Sequence, residues 1–217
     1  MGGLARAQTP PSSSSSSSSS KSRQAAEHSR ANSQPDAGPI SAEVYRSPLF
    51  GFTCKIPAGW VLRTEQMNAR EDEGAKAEAG NVETDSGKAG RVLLAAFSRP
   101  PKARAEDVNG SILIATESAA SYPGLKDAAQ YFGPVTEVAK AQGFETDGDP
   151  YGFVLGTKTL VRGDFEKNVG TRVMRQSTLV MLARGYVVSF TFIGGTDDEV
   201  EELVQGLSFG ASTKTTK

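Results

Sequence analysis

Polar and apolar positions change character near residue 50. Between Met1 and Ile40 there is scarcely an aliphatic residue larger than alanine, and Ser12 to Ser20 are nine consecutive serines. From Phe50 the chain turns strand-like: Phe52, Cys54 and Ile56 alternate with Thr53 and Lys55, the period-two signature of a half-buried strand. Pro57-Ala58-Gly59 is a turn, and Trp60-Val61-Leu62 opens the next strand. Glu65 to Gly90 is a long polar insertion, with room for a short helix but read as mainly disordered. Apolar runs at Arg91 to Ser98 and Ser111 to Glu117 predict buried strands, joined across the proline-stiffened basic loop Arg99 to Arg104, which is read as solvated charge.

Leu125, Ala128, Ala129 and Phe132 keep the i, i+3, i+4, i+7 spacing of an amphipathic helix, and Val135, Val138 and Ala139 extend the stripe. Gly133-Pro134 interrupts it. An interior proline costs about 3 kcal/mol, so the pattern predicts a kink, or a second helix with Pro134 in its first turn. The last third reads as strands at Phe153 to Leu155, Thr157 to Phe165, Thr171 to Ala183 and Tyr186 to Ile193, with Arg184-Gly185 as a tight hairpin turn. Tyr186, Val188, Phe190 and Phe192 share one face and belong to the core. Thr196 followed by Glu199 makes a capping box, Asp197 and Asp198 suit a helix start, and Val200, Leu203, Val204 and Leu207 form the buried stripe of a final helix.

These patterns predict an α+β fold. It is expected as an α/β/α sandwich with a mainly antiparallel sheet of about six to seven strands and helices near 125–142 and 197–207. The expected organisation is a disordered serine-rich tail over 1–40, one globular domain over 41–210 and a disordered tail over 211–217. The 1–40 segment cannot bury enough apolar area to offset its conformational entropy. Ala5-Arg6-Ala7 has the small-x-small form of a secretory cleavage site, yet Met1-Gly2-Gly3-Leu4 supplies neither the basic start nor the apolar stretch of a signal. Either the true start lies upstream or the match is chance. The expectation is an extracytoplasmic protein, periplasmic or secreted, and a cytoplasmic one if Met1 is the true start.

Charge and residue inventory then narrow the chemistry. The 217 residues carry a formal net charge of −1. Residues 41–210 hold 18 Lys+Arg against 23 Asp+Glu, a mildly acidic balance without the footprint that phosphate-backbone binding needs. Nucleic acid is therefore not an expected partner. No apolar run approaches the ~18 residues of a spanning helix. The single histidine, His28, lies in the tail, so a Ser-His-Asp triad or Cys-His dyad has no imidazole in the domain. Zinc sites built on histidine and cysteine fall with it, and the lone Cys54 is read as an inert core residue. Gly87-Lys88 lacks the rest of a phosphate loop, and no Gly-x-Gly-x-x-Gly occurs. Glu145 to Asp149 is acidic enough for calcium, but Pro150 and Gly156 stand where an EF-hand needs glycine and glutamate, so a polar turn is the reading. No catalytic residue, metal site or cofactor is assigned.

One cluster remains. Lys158, Arg162 and Asp164 share a strand face, with Arg172 and Arg175 on the following strand. A simple hairpin register sets Asp164 opposite Arg172, a cross-strand ion pair of about 0.2–1 kcal/mol. The alternative is an anion- or partner-binding patch on a sheet face left uncovered.

The order of motifs carries a resemblance. An aromatic-Gly-Phe-x-x-x-x-Pro-x-Gly-Trp opening (Phe50 to Trp60) precedes Gly124-Leu125 and Leu155-Gly156; Gly185-Tyr186-x-x-x-Phe190-Thr-Phe192 and a closing Leu207-Ser208-Phe209 follow. Over Val44 to Phe209 the chain resembles the PsbP-like superfamily, which includes PsbP, Mog and DcrB-type proteins. The resemblance implies an α/β/α sandwich and a non-catalytic binding or accessory role; histidine metal contacts of the photosystem branch have no counterpart here. The functional expectation is a non-enzymatic binding or accessory protein of the cell envelope, with an unidentified protein partner or envelope component. The rivals are an enzyme using carboxylates and arginines on an anionic substrate, and a self-associating structural envelope component.

Overall fold

The computed structural model describes residues 38, 40–41, 43–70, 90–100 and 107–210. The expectations for the tails, for Gly87-Lys88 and for most of the polar insertion and basic loop lie outside those residues. Twelve strands are formed among the described residues. They are β1 (Ile40–Ser41), β2 (Val44–Ser47), β3 (Phe52–Lys55), β4 (Val61–Leu62), β5 (Arg91–Phe97), β6 (Ser111–Ser118), β7 (Glu145–Thr146), β8 (Tyr151–Leu155), β9 (Lys158–Val169), β10 (Arg172–Ala183), β11 (Tyr186–Gly194) and β12 (Leu207–Phe209). Helices are α1 over 64–70, α2 (Phe132–Ala141) and α3 (Asp197–Gln205).

The strands make two sheets, and every pairing is antiparallel. The main sheet runs β4-β5-β6-β11-β10-β9-β7, with β8 also paired to β9; the small sheet runs β1-β2-β3-β12. The α+β sandwich is thus formed, with more strands than the expected six or seven. The extra ones include β1 and β7, two residues each and too short to show a period, and β12, which takes Leu207 from the expected end of the final helix.

Alternation sets the two faces of the main sheet. On one face Ile112, Ile114, Leu160, Leu179, Val188, Phe190 and Phe192 meet Tyr45, Phe52, Cys54 and Phe209 of the small sheet and Val200, Leu203 and Val204 of α3. Phe52 and Phe190 are T-shaped with ring centroids 4.9 Å apart, an arrangement suited to the aromatic quadrupole. The expected core of Phe52, Cys54, Ile56, Val188, Phe190 and Phe192 is therefore real. On the opposite face α2 lies against Val161, Val180 and Val187, and Ala139 packs with Phe144 and Phe165. Phe132 anchors this helix: a side chain at Gly163 of β9 would overlap its ring, so glycine is required there for the close approach.

The caps explain the helix limits. Thr196 accepts a hydrogen bond from the Glu199 amide (3.1 Å). Glu199 reaches back to the Gly195 amide (2.6 Å), one residue before the position a regular capping box uses. The expected helix near 125–142 begins only at Phe132. Before it, the Gln130 amide donates to Asp127 Oδ1 and Gln130 Oε1 accepts from the Lys126 amide, local bonds that compete with helical ones. A 3-10 turn at Ala129–Tyr131 follows, and Pro134 falls in the first turn of α2, where its missing N–H costs nothing.

The sheet edge is also protected. β4 pairs β5 only at Phe97 and Ala96. Beyond that, Thr64 Oγ1 of α1 accepts from the Ala95 amide (3.0 Å). The Asn68 side chain makes two 2.9 Å bonds to the Val92 backbone, donating to its carbonyl and accepting from its amide. Side chains of α1 thus satisfy an edge that would otherwise be open.

Candidate functional site

Residues of the predicted charged patch divide in two. The β9–β10 turn takes only two residues, since Val169 pairs with Arg172. That register corrects the expected one: Asp164 lies opposite Ser177, and Arg175 opposite Glu166. The strands run on into Glu166 to Val169, which the simple reading had assigned to the loop. Arg172 is consequently exposed beside the hairpin tip, and Lys158 belongs to a separate hollow with Phe50 and Lys126.

Arg162, Asp164 and Arg175 do converge, at the end of α3 around a hollow of about 290 Å³. Arg162 donates from Nε to Asp164 Oδ1 (2.9 Å) and from Nη1 to Glu201 Oε2 (2.8 Å). It also lies over the Phe153 ring, 5.2 Å from its centroid. Burial works against the Arg162 charge, but its bonds to Glu201 and Asp164 outweigh that and hold its pKa above the ordinary value. Tyr151 donates to Asp164 Oδ2 (3.0 Å); burial, then this bond, push its hydroxyl up. Arg175 meets Glu166 (2.7 Å), Asp197 (3.3 Å) and Asp147 (3.8 Å). Two arginines thus face five carboxylates. Both guanidiniums are already paired, Arg162 with β9 and α3, Arg175 with β9, α3 and the turn after β7.

A stretch of the main sheet only partly covered by the described residues lies elsewhere, on the α2 face. Between α2 on one side and α1 with β5 on the other is a cleft of about 530 Å³. β6 supplies Leu113, Ala115 and Glu117 to its floor, β11 supplies Ser189 and Thr191, and β10 supplies Gln176 and Thr178. Val135 and Val138 of α2 form one wall; Met67 and Phe97 form the other. Val138, on the rim, is an apolar side chain left 58% exposed. Gln176 Nε2 donates to Thr178 Oγ1 (3.2 Å), and Thr178 and Thr191 share a hydrogen bond of 3.2 Å.

One end of the cleft is closed by Glu117, Tyr122 and Tyr131. Tyr131 donates to Glu117 Oε1 at 2.8 Å and Tyr122 donates to Oε2. The two rings are T-shaped, 5.1 Å apart. Burial, then the hydrogen bond to Glu117, raise the pKa of both tyrosines, so both hydroxyls keep their protons and remain donors.

Sequence reading did not single out this trio. Glu117 reads as the polar end of an apolar strand, and Tyr131 hides beside a stripe that fits a longer helix. The usable signal was the second face of the strands: Ser189 and Thr191 interleave with Phe190 and Phe192, and Leu113, Ala115 and Glu117 with Ile112, Ile114 and Thr116.

No family model matches the chain, and no curated protein matches it. Among solved structures it is similar to cyanobacterial PsbP of Synechocystis sp. PCC 6803, 18% identical over 83% of this chain and 99% of that one, with a TM-score of 0.44. It is also similar to LpqN, a protein involved in cell envelope biogenesis of Mycobacterium tuberculosis, 16% identical over 72% of this chain and 82% of that one, with a TM-score of 0.35. A Pseudomonas aeruginosa protein of unknown function is 15% identical over 56% of this chain and 77% of that one, with a TM-score of 0.34. Cyanobacterial PsbP, of the superfamily the sequence resembles, is thus among the solved structures to which the chain is similar. Likeness at this level concerns the fold, and function has to be argued from the site.

Proposed function

We propose that the chain is a non-enzymatic binding protein whose site is the cleft between α2 and the main sheet. The observation that carries this reading is the cleft itself. It has a mixed floor of Leu113, Ala115, Ser189 and Thr191 and apolar walls, and its volume of about 530 Å³ falls within the ~300–1,000 Å³ of small-molecule sites. Apolar walls with a few placed polar groups bind and orient, and no histidine lies among the described residues to activate the hydroxyls of Ser189 or Thr191. The charged hollow at Arg162 and Arg175 serves instead to fasten α3 to β9 and β10. The serine-rich run Ser12 to Ser20 has the composition of a spacer, which supports a role outside the cytoplasm, and protease shaving of intact cells tests that placement.

A neutral apolar dye, Nile red, tests the site with the full chain. Saturable fluorescence enhancement is expected, and it is lost in Ala115→Trp, which fills the floor, and weakened in Val138→Glu on the rim. Both positions are at least partly exposed, so the circular dichroism spectrum and melting temperature should stay close to those of the parent. Absence of enhancement in the parent, or full enhancement in Ala115→Trp, would remove the cleft as the site.

A further inference from the structure

We propose that the cleft takes a small apolar ligand with a protonated amine head, and that Glu117 is the charge that anchors it. This rests on the cleft being the binding site and adds the chemistry of its occupant. Among the described residues that line the cleft, Glu117 is the only one with a charged side chain. It forms no ion pair among the described residues, where each of its carboxylate oxygens accepts one tyrosine hydroxyl. A carboxylate oxygen accepts more than one donor, so each oxygen keeps a direction open to a ligand N–H.

Tyr122 and Tyr131 orient the carboxylate without discharging it. Their hydroxyls remain protonated, and a neutral donor leaves the full negative charge in place. Such a charge in a partly desolvated site attracts a cation and repels an anion. The tyrosine rings beside it add π faces, the partners that ammonium groups prefer. Beyond the head position Leu113, Val135, Val138 and Met67 offer apolar contact to a hydrocarbon or aromatic tail, and the hydroxyls of Thr178 and Thr191 are already bonded to each other. One end for a cation and one length for an apolar body describe an amine of modest size.

Three ligands with one tail and different heads test this on the full chain: hexylamine, hexan-1-ol and hexanoate, each displacing Nile red at pH 7. Hexylamine is expected to bind at least tenfold more tightly than hexan-1-ol, with hexanoate weakest. Glu117→Gln keeps the shape and the acceptor for a tyrosine hydroxyl but removes the charge, and it should abolish the tenfold preference, bringing hexylamine down to the affinity that hexan-1-ol has for the same variant. Raised salt should weaken hexylamine alone. Equal binding of the three heads, or failure of all three to displace bound Nile red, overturns the amine assignment and leaves the cleft standing as a site. A preference for hexylamine that persists in Glu117→Gln overturns the role of Glu117. If the parent does not bind Nile red at all, the binding reading itself fails, so the two failures are told apart.

Discussion

Along β11, Val188, Phe190 and Phe192 face the small sheet and α3 and are fully buried, whereas Ser189, Thr191 and Ile193 face α2 and are only partly covered. One strand therefore serves two surfaces packed to different degrees. The first is filled from side to side: Phe52, Phe190 and Phe209 interlock with centroid separations of 4.9 to 6.0 Å. The second is held by one helix that reaches Val180, Val187 and Phe165 but leaves a hollow over Leu113 and Ala115. Close packing makes the filled face the source of stability. On the other face, incomplete cover leaves the space that the proposed ligand would occupy.

The comparison breaks most sharply on two adjacent residues. Phe190→Ala removes a ring from the centre of the filled face and should cost about 3–5 kcal/mol in urea unfolding. That is a large part of the ~5–15 kcal/mol that holds a domain folded. Thr191→Ala, one residue along, gives up a shared hydroxyl bond on a partly open surface and should cost under about 1 kcal/mol. Comparable losses from the two would mean that the α2 face is packed as tightly as the other and that the hollow is filled in solution.

The next effect concerns how α2 is attached. Phe132 seats its ring on Gly163, and a methyl group there leaves the buried ring no room. Gly163→Ala should therefore destabilise by about 1–3 kcal/mol, as overpacking does. It should also disturb Nile red binding, because the same helix forms the wall of the cleft. An unchanged melting temperature would show that the helix can ride outward freely. The double variant Gly163→Ala with Phe132→Leu should recover part of the loss.

These residues also show what could be read from the chain alone. The strong period-two runs around Phe52 and Phe190 and the capped helix after Thr196 declared themselves, since burial on one face forces regular alternation. The hidden parts depend on contacts distant in sequence. Asn68 caps the edge at Val92, Phe132 needs Gly163, and Glu117 is held by Tyr122 and Tyr131, and no local pattern announces any of these pairs. Among the candidate site residues, Arg162, Asp164 and Arg175 do meet, because a shared strand face is legible as a period. Lys158 and Arg172 stay apart, because the hairpin register hinged on a turn shorter than the polar residues suggested.

A third test sharpens the filled face through its one thiol. Cys54 is fully buried, and burial pushes its pKa up from 9.0 to about 12. The folded state therefore keeps the proton that the unfolded chain gives up. With the folded value raised, this contribution to stability is complete below about pH 9 and falls away as the pH climbs toward about 12. The native thiol should resist iodoacetamide at pH 8 and react once urea unfolds the chain. Urea midpoints should fall between pH 9 and pH 11, and fall less in Cys54→Ala. Rapid labelling of the folded protein would mean that the small sheet lifts off the main one.

The smallest effect is expected at the rim of that same face, where Arg175 holds Glu166, Asp197 and Asp147. The number of pairs suggests an important lock, but exposure argues otherwise. The partners' side chains are 41%, 79% and 60% exposed, so water and salt already screen each of these charges. Arg175→Ala should cost about 0–1 kcal/mol, with the difference vanishing in high salt. Arg162 differs in being 12% exposed and bound to an Asp164 that is itself well covered. Removing it leaves the well-covered Asp164 with the Tyr151 hydroxyl in place of a cation, so Arg162→Ala should cost more than Arg175→Ala and should keep most of its effect in salt. An equal, salt-sensitive loss at both positions would show that the hollow between them is open water and that α3 is fastened by Val200, Leu203 and Val204 alone.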